Sequence, residues 1–361
     1  MYSQDEVIIP EDVMYEIVRM MDIKSLFDTV TTSNAMTRFA NQQHVLDMLS
    51  EVHGLPYVKY LENLAWYSQM EPGELLMSSV WDGNLRVLGA VSMRKDFSKG
   101  FINTAGVSAA THGHIKVVKR LLNMGADSYK DMMYAAATRG HEDIVNLMIE
   151  LKADNYKPVM LAAARRGYED IVNRMIEVGA NDFRPDDYND VMSEAASGGH
   201  EAIVNRMIEL GSANYSKAME QAAKYGHEAI VRQMVKVGAG LGVNDYNSTM
   251  VAAARSGHES IIRYMLDLGA NNYSVAMMYA AENGYDDIVK LLAKLGADSL
   301  SVDDYNKAMV AAARGGHESI VNYMIELGAN NYKLAMRSAM MKTSEPHGAI
   351  FRKMRALLSI A

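Results

Sequence analysis

The strongest constraint on this chain is a residue pair, Gly-His or Gly-Tyr, that returns eight times in register. It stands at Gly113-His114, Gly140-His141, Gly167-Tyr168, Gly199-His200, Gly226-His227, Gly257-His258, Gly284-Tyr285 and Gly316-His317, with successive spacings of 27, 27, 32, 27, 31, 27 and 32 residues. Other columns keep step with it. An alanine pair lies five and four residues before the His or Tyr, as in Ala136-Ala137, Ala195-Ala196, Ala253-Ala254 and Ala312-Ala313. Eight before it stands a methionine (Met133, Met160, Met192, Met219, Met250, Met277, Met309), and Met336 continues that column. Twelve before it stands a tyrosine, from Tyr129 through Tyr305, then Tyr332. A period near 30 residues is the mark of stacked repeats rather than of one globular core.

Each unit reads as two short helices. In Ala218–Tyr225 small alanines recur where another helix must approach closely, and Gly226 supplies the turn. In His227–Val235, Ile230, Val231, Met234 and Val235 form one apolar stripe of an amphipathic helix. Glu228 near its start suits the helix dipole, and Gly238 suits a C-cap. Neither helix buries its face alone, so neighbouring units must stack. Loops of unequal length separate the units. The stretches 179–188, 238–246 and 296–305 are long and the alternate junctions short, so from residue 167 the effective unit is a pair of repeats, 58 or 59 residues long. Residues 245–277 and 304–336 match at 24 of 33 positions, as an internal duplication would.

The pattern Ala-Ala-x-x-Gly-His-x-x-Ile-Val-x-x-Met-Ile-x-x-Gly-Ala resembles the ankyrin repeat, over roughly residues 72–361. The family's Thr-Pro-Leu-His is missing; Asp190-Val-Met-Ser193 and Lys217-Ala-Met-Glu220 stand in its place. The short junctions leave hardly any room for the family's β-hairpin finger. The resemblance implies an all-α solenoid of about ten helix-turn-helix repeats, most with shortened finger loops, and a role in binding proteins. Residues 72–101 give a degenerate first unit, 72–331 the repeats, and 332–361 a C-terminal capping repeat. The cap ends in a basic amphipathic helix, Ile350–Leu358, read as a solvated cap rather than a membrane-binding helix.

Before residue 60 the repeat is lost. Ile9-Pro10-Glu11-Asp12-Val13 opens a helix with proline first and acids behind it; Leu26, Phe27 and Val30 give a second apolar face. With Ser33-Asn34-Ala-Met-Thr-Arg38, this segment resembles an F-box: residues 1–55 as a small helical F-box-like domain, 56–71 as a helical linker. That resemblance implies that Ile9, Pro10, Val13, Ile17, Leu26 and Val30 form an apolar patch for the Skp adaptor of a cullin–RING ubiquitin ligase. The other reading is a plain helical cap on the stack. Ankyrin arrays joined to F-box-like segments resemble those encoded by large DNA viruses, which implies a host target and a place in the host cytoplasm.

Composition removes most other chemistry. Cysteine is absent, which excludes disulfides, thiolate-bound zinc and thiol nucleophiles, so any ligase role is that of an adaptor. The histidines of the repeat lie one repeat apart and do not converge on an ion. Neither a nucleophile elbow nor a phosphate-binding glycine loop occurs, so no enzyme activity and no cofactor are expected. A net charge of −8, from 44 acids and 36 bases, speaks against a nucleic-acid partner. The acidic start Met1-Tyr-Ser-Gln-Asp-Glu6 does not suit a signal peptide, and no apolar run approaches membrane-spanning length. A soluble, cytoplasmic, monomeric protein is expected.

One surface pattern remains. Three residues before the His column stand Arg165, Lys224, Arg255 and Arg314, interrupted by Thr138, Ser197 and Glu282. These cations either complement helix C-termini or form a broken basic ladder for an acidic protein segment. Phe183, Arg184, Asp187 and Asp304 are expected to project beside it from the long loops, where binding residues commonly sit.

Overall fold

The computed structural model describes residues 71–94, 97–179, 182–341 and 345–359, and all regular structure among them is helical. Residues 1–70, with the whole F-box-like segment, lie outside the described residues. The chain divides into two compact units between Asp154 and Asn155.

The first unit contributes three described hairpins: α1 (Pro72–Trp81) with α2 (Leu85–Arg94), α3 (Lys99–Thr111) with α4 (Ile115–Asn123), and α5 (Tyr129–Ala137) with α6 (Glu142–Glu150). Pro72 occupies the first turn of α1, where its missing N–H costs nothing. Asn84 Oδ1 accepts from the Val87 amide at 3.2 Å and starts α2; Ser98 does the same for α3 through the Phe101 amide.

The second unit holds seven hairpins. They are α7 (Tyr156–Arg166) with α8 (Glu169–Val178), α9 (Pro185–Gly198) with α10 (Glu201–Glu209), α11 (Tyr215–Tyr225) with α12 (Glu228–Val237), and α13 (Val243–Ser256) with α14 (Glu259–Asp267). There follow α15 (Tyr273–Asn283) with α16 (Asp286–Leu295), α17 (Val302–Gly315) with α18 (Glu318–Glu326), and α19 (Tyr332–Ala339) with α20 (Glu345–Leu358). Within this unit the first helix of each hairpin, the inner one, packs on its neighbouring inner helices. The alanine pairs make that approach possible: Ala163, Ala164, Ala222, Ala223, Ala253 and Ala254 are fully buried. The methionine column of the inner helices and a second one on the outer helices (Met175, Met207, Met234, Met265, Met324) fill the space between layers at zero exposure. Met336 in the last hairpin apart, these columns are core.

The histidine column turns out to be a clamp between repeats. His200 Nε2 donates to the Arg165 carbonyl at 3.2 Å, His227 to Ser197 at 3.1 Å and His317 to Glu282 at 3.1 Å. In the first unit His141 reaches Thr111 and His114 reaches Trp81 in the same way. Each ring thus takes one of the carbonyls orphaned at the end of the preceding inner helix. The turn glycine makes room for it. Gly226 has φ +83°, and a Cβ there would lie 2.6 Å from the His258 ring.

His347 extends this column beyond the reach of the sequence reading. It is 5% exposed, its Nε2 donates to the Arg314 carbonyl at 3.0 Å, and its ring lies against Gly316. The capping repeat therefore carries the same clamp in its last hairpin, with Pro346 where the other repeats have glycine.

The long and short junctions are held by different devices. After each long loop the inner helix gains about a turn at its N-terminus: α9, α13 and α17 have 14 residues, against 11 in α7, α11 and α15. The loops are correspondingly shorter than the spacing suggests. Asp187, Asp245 and Asp304 sit at the third position of these helices and accept the N-cap amides of Arg184, Gly242 and Ser301 at 2.8, 2.9 and 3.0 Å. A side chain of the preceding inner helix braces each of them: Lys157 on Asp187 at 2.6 Å, Ser216 on Asp245 at 2.5 Å, Ser274 on Asp304 at 2.6 Å.

Short junctions are stapled by asparagine instead. Asn247 Oδ1 accepts from the Asn271 and Asn272 amides at 2.7 and 3.0 Å. Asn189 does this for Ala213 and Asn214, and Asn306 for Asn330 and Asn331. Repeats of two kinds therefore alternate in the second unit. One lends a brace to the next cap; the other staples the junction that follows.

Candidate interaction surface

The C-terminal ends of the inner helices carry the cation column. Arg165, Lys224, Arg255 and Arg314 are all exposed there, on α7, α11, α13 and α17. They are not bare charges. Arg165 lies 3.7 Å from Glu194 of α9, and Arg314 lies 3.3 Å from Glu282 of α15. The Arg255 guanidinium stacks on the Tyr279 ring of α15 at 3.9 Å from its centroid, and Lys224 Nζ lies 5.2 Å from the centroid of Tyr225. Tyr225 is itself 42% exposed. Between α11 and α15 this places two cations against two tyrosines. An arginine ordered on an aromatic face keeps its fork of donors available to a carboxylate.

The backbone adds a reason for the cations' position. The residue in this column is also the one whose carbonyl receives the next repeat's histidine, as at Arg165 and Arg314. The helix end is thus capped on its axis by an imidazole and flanked by a cation, and both suit the negative end of the dipole. Dipole complementarity explains why a base stands there. It leaves open what the outward-facing guanidinium meets.

The loop residues behave differently from expectation. Phe183 does not project: its ring packs edge-on against Tyr188 at 6.0 Å and covers Gly179. Asp187 is only 8% exposed and is committed to the cap of α9. Asp304 is committed to the cap of α17 and to Ser274. Their chemistry confirms the commitment. The Lys157 ammonium, then the Arg184 amide, holds the Asp187 carboxyl below the usual range. Hydrogen bonds from Ser274, Ser301 and the Ser301 amide hold Asp304 well below it. Asp187 and Asp304 are structural acids rather than projecting loop contacts, and the expectation is corrected accordingly. Arg184 alone of the four stands exposed at its loop.

Farther along the same helices, Asp190 of α9 lies between Lys157 and Lys217, each 3.2 Å away. Burial pushes its carboxyl up, but these two ammonium groups outweigh that and bring it down. No group of three or more His, Cys, Asp or Glu side chains among the described residues is arranged to hold a metal ion. The six residues assigned to an adaptor interface, Ile9, Pro10, Val13, Ile17, Leu26 and Val30, lie outside the described residues.

A family model for ankyrin repeats matches three overlapping stretches, residues 192–276, 219–303 and 249–335. Residues 192–335 are ankyrin repeats. Their presence indicates a protein–protein interaction module, on a fold that typically serves as a binding scaffold. No curated protein matches the chain. Among the described residues, no helix is long and apolar enough to cross a membrane.

Proposed function

We propose that this chain is a receptor without catalytic activity of its own. The inner-helix surface of the second unit holds a segment of a target protein, and the F-box-like segment recruits the Skp adaptor of a cullin–RING ubiquitin ligase. The observation that carries the binding half is the pair of cations Lys224 and Arg255 set against Tyr225 and Tyr279. Arginine and tyrosine are the residues in which interfaces concentrate their energy. The ladder's charge selects an acidic segment. The ligase half rests on the sequence of residues 9–38 alone, and the proposed target is a host protein in the cytoplasm, by resemblance to viral ankyrin arrays.

The test is a pull-down of purified Skp adaptor by the full chain and by Pro10→Ala/Leu26→Asp. Loss of a buried anchor costs about 2 kcal/mol, roughly thirtyfold in affinity, before the added charge is counted. Binding by the wild type that collapses in the still-folded variant supports the receptor. Absence of wild-type binding leaves an ankyrin scaffold with no ubiquitin link, in which residues 1–60 cap the stack.

A further inference from the structure

On the outer side of the second unit, neighbouring helices are joined by side-chain bridges that keep one register. The residue five after the His or Tyr column of one repeat meets the residue six after it in the next. Asn205 of α10 accepts from Gln233 of α12, the Arg232 guanidinium of α12 stacks on Tyr264 of α14 at 4.0 Å, and Asn322 of α18 accepts from Lys353 of α20.

Between α8 and α10 the same register assigns the bridge to Asn173 and Arg206, and it is not made. Arg206 turns onto Glu209 of its own helix at 3.0 Å, and no hydrogen bond joins it to Asn173. The groove stays open as a cleft of about 210 Å³. Val172 and Ile203, both almost fully buried, form its floor with the small Ala202, and Glu169, Asn173 and Glu209 stand exposed around it. One water needs only ~10–15 Å³ of such space, so the cleft has room for a long side chain.

The surroundings of the cleft are acidic. The bases of the two helices are spent within them, Arg174 on Glu177 and Arg206 on Glu209. Glu169, Asp170 and Glu201, at the helix starts, have no ion-pair partner among the described residues. At the same position in α12 and α14, Glu228 and Glu259 are covered by Arg232 and Arg263, each at 2.7 Å. The helix dipole accounts for an acid at each start. It does not account for an open cleft beside them.

We propose that this cleft seats an arginine side chain of a basic protein segment, on a face separate from the inner-helix surface. The stem lies on Val172, Ala202 and Ile203, as long cationic side chains cover apolar surface while their heads stay polar. The guanidinium has five donors and no acceptor, and it meets the Glu169 carboxylate and the Asn173 amide oxygen. Charge decides among occupants. Against two bases, the five acids of α8 and α10 repel phosphate backbones and anionic membranes. A two-fold contact with a second copy would set those acids against themselves, like charge on like.

The test pans a random peptide library displayed on phage against the full chain, after depletion on Ala202→Trp, which fills the cleft. Selected peptides are titrated by fluorescence anisotropy into the wild type, Ala202→Trp, Glu169→Gln/Glu201→Gln and Lys224→Glu/Arg255→Glu. The expected peptides share an arginine and carry net positive charge. Their affinity falls about tenfold on Ala202→Trp, about tenfold when citrulline replaces that arginine, and about fivefold on Glu169→Gln/Glu201→Gln. It weakens with salt. It is unchanged on Lys224→Glu/Arg255→Glu, so failure at the cleft leaves the inner-helix reading standing. Selection of no peptide, peptides without a common arginine, or indifference to citrulline or to Ala202→Trp overturns the proposal. Loss on Lys224→Glu/Arg255→Glu does so too, as does a dimer in sedimentation equilibrium that Ala202→Trp abolishes. Thermal melting checks the fold of each variant, and Ala202→Lys, which places a cation at the cleft, replaces the tryptophan if that variant melts early.

Discussion

The inner and outer helices of residues 155–361 spend their charges differently. On the outer helices the ion pairs close within one helix: Arg174 with Glu177, Arg206 with Glu209, Arg232 with Glu228, and Arg263 with Glu259. On the inner helices the partners mostly belong to neighbours, as with Arg165 and Glu194, Lys157 and Asp187, Lys217 and Asp190, or Arg314 and Glu282. A pair within one helix steadies that helix and says nothing to the next. A pair between helices fixes one repeat on another. The ion pairs of the outer surface are therefore repetitive and local, its cross-repeat contacts being of other kinds, such as Arg232 on the Tyr264 ring and Gln233 on Asn205, while the ion pairs of the inner surface are position-specific.

This contrast can be broken by stability measurements. Both faces rest on the methionine layers, so Met250→Ala sets the upper bound: a fully buried side chain lost, at a cost of about 2–5 kcal/mol in denaturant unfolding. Gly226→Ala comes next, because a left-handed turn and the His258 ring are both violated, with an expected loss of about 2 kcal/mol. If instead it melts like wild type, the histidine clamp is not a rigid contact. Asp304→Ala removes a cap and its brace together and is expected to cost about 1 kcal/mol. At the bottom of the scale, Arg263→Gln on the outer face should change stability by no more than about 0.5 kcal/mol. A larger effect there would erase the distinction between the faces.

Acid sharpens the same contrast. Asp187, Asp245 and Asp304 are all held below the usual carboxylate range by their braces and cap amides. Their contribution is complete above the unfolded value of about 3.9 and is lost as the pH falls toward the folded values. Melting temperature should therefore drop steeply below about pH 4, and less steeply in Asp245→Asn/Asp304→Asn.

The repeats, their helices and the methionine core were legible because they depend on spacing alone, and spacing is what a sequence displays. What the columns do was harder to see. The histidines were read correctly as structural, but their acceptor is a carbonyl some 30 to 35 residues back, which no local pattern announces. Spacing places Asp187 and Asp304 in the long loops, but each sits at the third position of a helix that begins inside the loop, and the cap it makes there is not visible in loop length. A signal was available in the tyrosine column: asparagine follows Tyr188, Tyr246 and Tyr305, whereas Lys157, Ser216 and Ser274 follow the alternate tyrosines. His347 escaped because Pro346 broke the glycine register by which the column was being followed. The cations of the ladder were visible as residues, but the tyrosine beneath Arg255 belongs to the next repeat.

The alternation of braces and staples has a consequence for how such a chain can grow. Removing one repeat between Tyr188 and Asp304 would set an asparagine where a brace is needed, or a brace before a junction that needs stapling. Removing two restores every partner. Gain and loss in this part of the chain should therefore proceed by pairs, and the near-copy of residues 245–277 at 304–336 has the length of one such step, 59 residues. A gene encoding this array carries a reading unit twice as long as its structural repeat.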